Sequence, residues 1–253
     1  MSTATIPELD LVYPESDGKP MADNTVQWDW MVMIVGELRD QYAGQEVFVA
    51  GDLLWYPVRG KPRINAAPDA MVAFGRPAGH RKSYIQHLED GVAPQVVFEV
   101  LSHSNTDDEL DAKLEFYDGH GVEEYYVIDP YRHSVEVHIR RGERLGRIRK
   151  PLGFTSPRLG IRFEKPAEEL VLLTPGGRPF QSRAERIGEL TEELQRNSAV
   201  AASERKRSAE EKQRADAEHR RADAEHKRAE AEAVAKLRLA AKLRELGVDP
   251  DTL

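Results

Sequence analysis

The 253-residue chain contains no cysteine. Disulfides and thiolate metal sites are therefore excluded, and a reducing cytoplasm is the expected setting. No run approaches the roughly 18 apolar residues of a spanning helix, so no membrane partner is expected. The opening MSTATIPELD lacks the basic and apolar regions of a signal peptide. Walker loop, dinucleotide fingerprint and serine nucleophile elbow are all missing. His80 and His87 have no partners at ligand spacing, which argues against zinc.

What is present is 40% hydrophobic and 32% charged, a mix that suits a folded body with an additional charged segment. The formal net charge is −8 and unevenly placed. From Arg183 onward there are 16 basic and 16 acidic residues, so residues 1–182 carry the whole excess. An acidic body argues mildly against tight non-specific binding to a polyanion, although a local basic groove is compatible with it.

Three regions follow from the patterning. Residues 1–23 read as an arm. Residues 24–181 read as an α/β domain with a mixed central sheet flanked by helices. Residues 182–253 read as a charged helical tail. Within the body, NTVQWDWMVMIVGELRDQY (24–42) sets Trp28, Met31, Ile34, Val35 and Leu38 at helical spacing, with Asn24 or Thr25 as cap. QEVFVAGDLLWYPV reads as a strand or bent hairpin broken at Gly51. PDAMVAFG reads as a strand, and residues 76–94 as a polar loop. QVVFEVLS is nearly continuously apolar, as a strand buried on both faces should be. Thr106 three residues before Glu109 marks a capping box, and Gly119 or Gly121 ends that helix. EEYYVID, the alternating SVEVHIRRG and further short strands to about residue 173 complete the body.

The tail contains RADAEHR, RADAEHK and RAEAEAV, three consecutive heptads from Arg214 to Val234 without Gly or Pro. They predict one helix from about Ser182 to Leu246, roughly 90–100 Å long. Ala and His recur where Leu or Ile would form a strong seam, so a self-associating coiled coil and a solvated single helix are both open. Leu237, Leu243 and Leu246 supply a small apolar patch near its end.

Two acids and a base stand where a core should be. If strands 68–74 and 95–101 pair antiparallel so that paired positions sum to 168, Val72 meets Val96 and Asp69 meets Glu99. Opposed carboxylates repel unless a proton or cation lies between them, and hard oxygen donors suit magnesium or manganese. In the following helix Leu110, Lys113, Leu114 and Tyr117 share a stripe, so Lys113 faces the sheet and needs a partner, for which Glu99 on the preceding strand is the obvious candidate. The alternative is structural: Glu99 and Lys113 as a buried ion pair, and Asp69 capping the turn after Pro68.

Pro68–Asp69, FEVLS at 98–102, Lys113, Tyr117 and GVEEYYVIDP at 121–130 together resemble the Uma-two family of putative restriction endonucleases, within the PD-(D/E)XK nuclease superfamily. The resemblance covers roughly residues 24–180. It implies a restriction-endonuclease-like core, with Asp69 and Glu99 as metal-binding acids. It departs from the commonest superfamily pattern, in which a lysine lies two residues after the second acid; here that position is Leu101, and Lys113 on the helix takes the lysine's place. Glu37 is similar to an acid that some superfamily members add to the metal site, although a surface glutamate in GELRD would be commonplace. Of the remaining residues, Ser102, His103 and Ser104 fit helix capping or a phosphate contact. Arg76–Lys82 is either a phosphate-receiving cluster or a solvated loop.

The resulting expectation is a magnesium-dependent (or manganese-dependent) endonuclease acting on nucleic acid, DNA in the first instance. Asp69 and Glu99 would hold the ion and Lys113 would act on water or phosphate. A homodimer would use the tail as one contact. The rival is a catalytically inactive nuclease-fold module working through its tail.

Overall fold

A computed structural model of the chain describes residues 12–18 and 20–245, with backbone alone for 243–245. The opening decapeptide and Leu246 lie outside the described residues, as does the side chain of Leu243. Two compact units, 1–187 and 188–253, are each considered by themselves.

Unit 1 is built on a six-stranded mixed sheet. Its strands are β1 (Val47–Ala50), β3 (Ala70–Phe74), β5 (Val96–Val100), β6 (Glu124–Asp129), β7 (Ser134–Arg141) and β8 (Arg144–Arg147), in that spatial order. Neighbours run antiparallel except β5 and β6, which are parallel and joined through α2 (Asp107–Gly119). A parallel pair needs such a crossover, whereas tight turns suffice for β6–β7 and β7–β8. Two short pairs complete the body: β2 (Trp55–Tyr56) with β4 (Tyr84–Ile85), and β9 (Arg162–Glu164) with β10 (Val171–Leu173).

Strand alternation sorts the core into two layers. Val96, Phe98 and Val100, with Ala70, Val72, Tyr126 and Ile128, pack toward Met31, Ile34 and Leu38 of α1 (Thr25–Gln41). Val97, Met71, Ala73, Tyr125 and Val127 face the opposite way, toward Tyr117 of α2. That alternation puts Glu99 and Asp69 on the α2 side. The β3–β5 register is the one expected: Val72 pairs with Val96 and Ala70 with Phe98.

Several elements depart from the sequence expectation. Trp28 is 43% exposed, and Gln27 takes the buried position on α1. The amide makes this possible by donating to the Val100 carbonyl at 3.0 Å, so a polar side chain is buried satisfied. Asn24 caps α1 by accepting from the Gln27 N–H. Residues 45–58 are no hairpin; β1 ends at Ala50 and β2 joins β4 in the separate pair. The polar loop 76–94 contains β4 and a 3-10 turn at Gln86–Leu88. Its basic cluster is largely neutralised from within. Arg76 pairs with Glu89 and Asp90, and Arg81 pairs with Glu89 at 2.5 Å while lying over the Phe48 ring.

α2 carries the expected capping box between Thr106 and Glu109. α3 runs from Arg183 to Glu245, 63 residues or about 95 Å. Ser182 and Glu185 form a second reciprocal cap at its start. Among the described residues no helix is long and apolar enough to cross a membrane.

Candidate active site

Glu99 is the centre of the site. It is buried, and each of its oxygens has a donor: Lys113 Nζ reaches Oε2 at 2.6 Å and the Tyr117 hydroxyl reaches Oε1 at 2.5 Å. Lys113 and Tyr117 are four residues apart on α2, one turn, so both project toward the same strand. Burial pulls the Lys113 ammonium down, but the charge and hydrogen bond of Glu99, with the charges of Asp69 and Glu109, together outweigh it and hold the pKa above its ordinary value. Burial, together with the Glu99 charge, pushes the Tyr117 hydroxyl well up, so it remains a donor.

Asp69 enters from the turn before β3. Its Oδ2 accepts the Val100 N–H at 2.7 Å, and Oδ1 has no donor among the described residues. Burial and the neighbouring Glu99 charge push its pKa up to about 8, against the opposing pull of the Val100 N–H and Lys113. At neutral pH this carboxyl is therefore held mostly in its proton-bound form.

Asp52 follows β1 by two residues. Its N–H donates to the Pro68 carbonyl at 3.0 Å, which ties it to the turn carrying Asp69. The preceding Gly51 lies against Asp69 so closely that a Cβ would meet the Asp69 carbonyl oxygen at 2.9 Å and Val35 Cγ2 at 2.9 Å. Only glycine permits that approach without moving backbone.

Glu37 stands apart from this group. Its buried carboxylate is clasped by Arg178, at 2.5 Å to Oε2 and 3.0 Å to Oε1, and accepts the Gln181 N–H at 3.1 Å. It ties α1 to the chain leading into α3, and it is absent from the charges that shift Asp69. Ser102 and Ser104 bind Asp23 and Asn105, fixing the turn before α2.

Asp69, Glu99 and Lys113 thus converge, joined by Tyr117, to which the sequence assigned no role beyond the shared stripe. The signal that would have found it is the stripe that marked Lys113: a hydroxyl one turn later on the same buried face also needs a partner.

A family model described as "Uma2: Putative restriction endonuclease" matches residues 29–159, more than half of the chain. The chain belongs to the Uma2 family. The matched segment holds Asp52, Asp69, Glu99, Lys113 and Tyr117, whereas Arg178 lies beyond it. Membership supports nuclease activity in general terms. No curated protein matches. A crystal structure at 1.96 Å of a "putative nuclease belonging to DUF820" from Anabaena variabilis is 16% identical, with a TM-score of 0.41, covering 59% of this chain and 85% of that one.

The donor set of this Uma2 chain suits a divalent cation. Among the described residues no three His, Asp or Glu side chains lie close enough to form a complete cage. Two converging carboxylates, one with an oxygen free of donors, match the habit of magnesium, which keeps waters and takes only one or two protein carboxylates. Carboxylates this close repel, and a cation relieves that as well as a proton does.

Proposed function

We propose that this Uma2 chain is a magnesium-dependent endonuclease that hydrolyses phosphodiester bonds of DNA. The observation that carries the reading is one arrangement: Asp69 in the turn that leads into β3, Glu99 on the paired strand β5, and the Lys113 ammonium 2.6 Å from Glu99.

Asp69 and Glu99 would hold the ion, which supplies an activated water and neutralises charge on the phosphate when bound. Glu99 is held in one orientation by its two donors. Lys113 is about one-third exposed, so its ammonium is available to a substrate phosphate as well as to Glu99. A fixed positive charge there stabilises the negative charge that develops as water adds to phosphorus and the bridging P–O bond breaks. Asp69 gives up its proton as the site fills, which links occupancy to pH.

The proposal includes a homodimer joined through α3, whose Ile187, Leu190 and Leu194 are exposed at i, i+3 and i+7. Two active sites would then be available to the two strands of a duplex.

The test is supercoiled plasmid incubated with wild type and Asp69→Asn, with magnesium, manganese or chelator. Nicking that requires the ion and disappears in the variant supports the reading. Equal nicking by both proteins, or none under any condition, overturns it.

A further inference from the structure

Three features of Asp52 are unexplained by packing. Its backbone is left-handed, with φ +46, a conformation that strains most side chains and that Asp and Asn tolerate best. Its carboxylate is half-buried yet has no hydrogen-bond or ion-pair partner among the described residues. The chain is also held in backbone contact with the Pro68–Asp69 turn, through the Asp52 N–H and through Gly51. A half-buried charge without a partner is unfavourable, and here the backbone that carries it is anchored to the Pro68–Asp69 turn. Strain and an unpaired charge together are features that persist where they serve a site.

The surrounding field supports this placement. Burial raises the Asp52 pKa, as do the charges of Asp17 and then Glu99, while Lys113 opposes them. Asp52 in turn raises Asp69. With all three acids ionised, Asp52, Asp69 and Glu99 set against Lys113 leave two negative charges, the charge a divalent cation would balance.

We infer that Asp52 is a third acid of the Asp69–Glu99 site, holding a hydrated divalent cation through its water shell rather than by direct ligation. The absence of a tight three-acid cluster among the described residues favours the indirect role, as does the reluctance of magnesium to shed water. This assignment rests on the proposed function, so the experiment separates the two.

The full chain would be titrated calorimetrically with Mn2+ and with Mg2+ at a pH above the Asp69 range, as wild type, Asp52→Asn, Asp52→Gly and Asp69→Asn. Asn and Gly both accept the left-handed backbone, and both remove the charge. Metal-free melting temperatures would be measured on the same preparations. The expected result is a loss of affinity of about tenfold in both Asp52 variants, the lower range for outer-shell partners. Their metal-free melting temperatures should be unchanged or higher, because an unpaired charge has gone. Wild-type affinity in the Asp52 variants alongside lost binding in Asp69→Asn overturns the inference and leaves the proposed function standing. So does a fall in melting temperature with affinity intact, which would make Asp52 structural. Absence of metal binding in the wild type overturns both.

Discussion

Lys113 and Tyr117, one turn apart on α2, hold the two oxygens of Glu99 at 2.6 and 2.5 Å. A single buried carboxylate is thus oriented by a charged donor that is partly exposed and a neutral donor that is not. The two donors are separable by mutation.

Lys113→Met should abolish plasmid nicking. It also leaves Glu99 with one neutral donor in a buried setting. Breaking a fully buried pair costs about 3–5 kcal/mol, and partial exposure of Lys113 lowers this to about 1–3 kcal/mol. Urea denaturation at neutral pH measures the loss, and nicking below the melting temperature measures the chemistry.

Tyr117→Phe should reduce nicking while retaining metal-dependent activity, because Lys113 still orients Glu99. The missing hydroxyl leaves one buried carboxylate oxygen unsatisfied, at about 1–3 kcal/mol. Retention of full wild-type activity and stability would show that the hydrogen bond carries neither role.

Asp69 makes stability depend on pH in a direction opposite to most carboxylates. Its pKa is raised from an ordinary 3.8 to about 8 by burial and by Glu99. Below the ordinary value, folded and unfolded chains both carry the proton and the contribution is fully present. Between the two values only the folded chain carries it, so stability falls as pH rises and the loss is complete above about 8. Metal-free wild type should therefore lose stability across this window relative to Asp69→Asn. Magnesium affinity should rise with pH through the same window, with proton release visible as a buffer-dependent heat.

Glu37 should separate structure from chemistry. Arg178→Ala leaves the Glu37 carboxylate buried without its main partner, and should cost about 3 kcal/mol in thermal or urea unfolding. Glu37→Gln removes the charge and should be milder. Where both variants are folded, nicking per folded molecule should equal that of the wild type; a specific loss in Glu37→Gln would return this residue to the metal site.

Sedimentation tests the helical tail. The full chain should sediment as a dimer at micromolar concentration, and a chain ending after residue 187 as a monomer. A monomeric full chain, with or without DNA, would remove the tail as the contact.

The apolar run of β5 and the alternation of its neighbours were enough to read which strand is buried and which face Glu99 takes, because side-chain direction along a strand is a local property. The β3–β5 register was open in the sequence, because the 76–94 loop is too long to fix it; the structure sets it by pairing Val72 with Val96 and Ala70 with Phe98. Lys113 announced itself by its polarity on an otherwise apolar stripe, and Thr106 and Glu109 by their spacing. Family membership rests on motif order, which is likewise a property of the sequence.

Other facts depended on residues distant along the chain. Nothing near Glu37 in GELRD distinguishes a surface acid from a metal ligand; the structure buries it and gives it Arg178, 141 positions later, as a partner. Nothing in AGDLL shows that Gly51 must lie against the Asp69 carbonyl, or that Asp52 is held beside that turn without a partner among the described residues. The buried position of Gln27 required the Val100 carbonyl. Local periodicity determined the elements, their faces and their caps, because those follow from backbone geometry over a few residues. Tertiary structure decided which charges are paired, which are left over and how far each carboxyl is pushed, because desolvation and Coulomb energy depend on what the whole fold brings within a few ångströms.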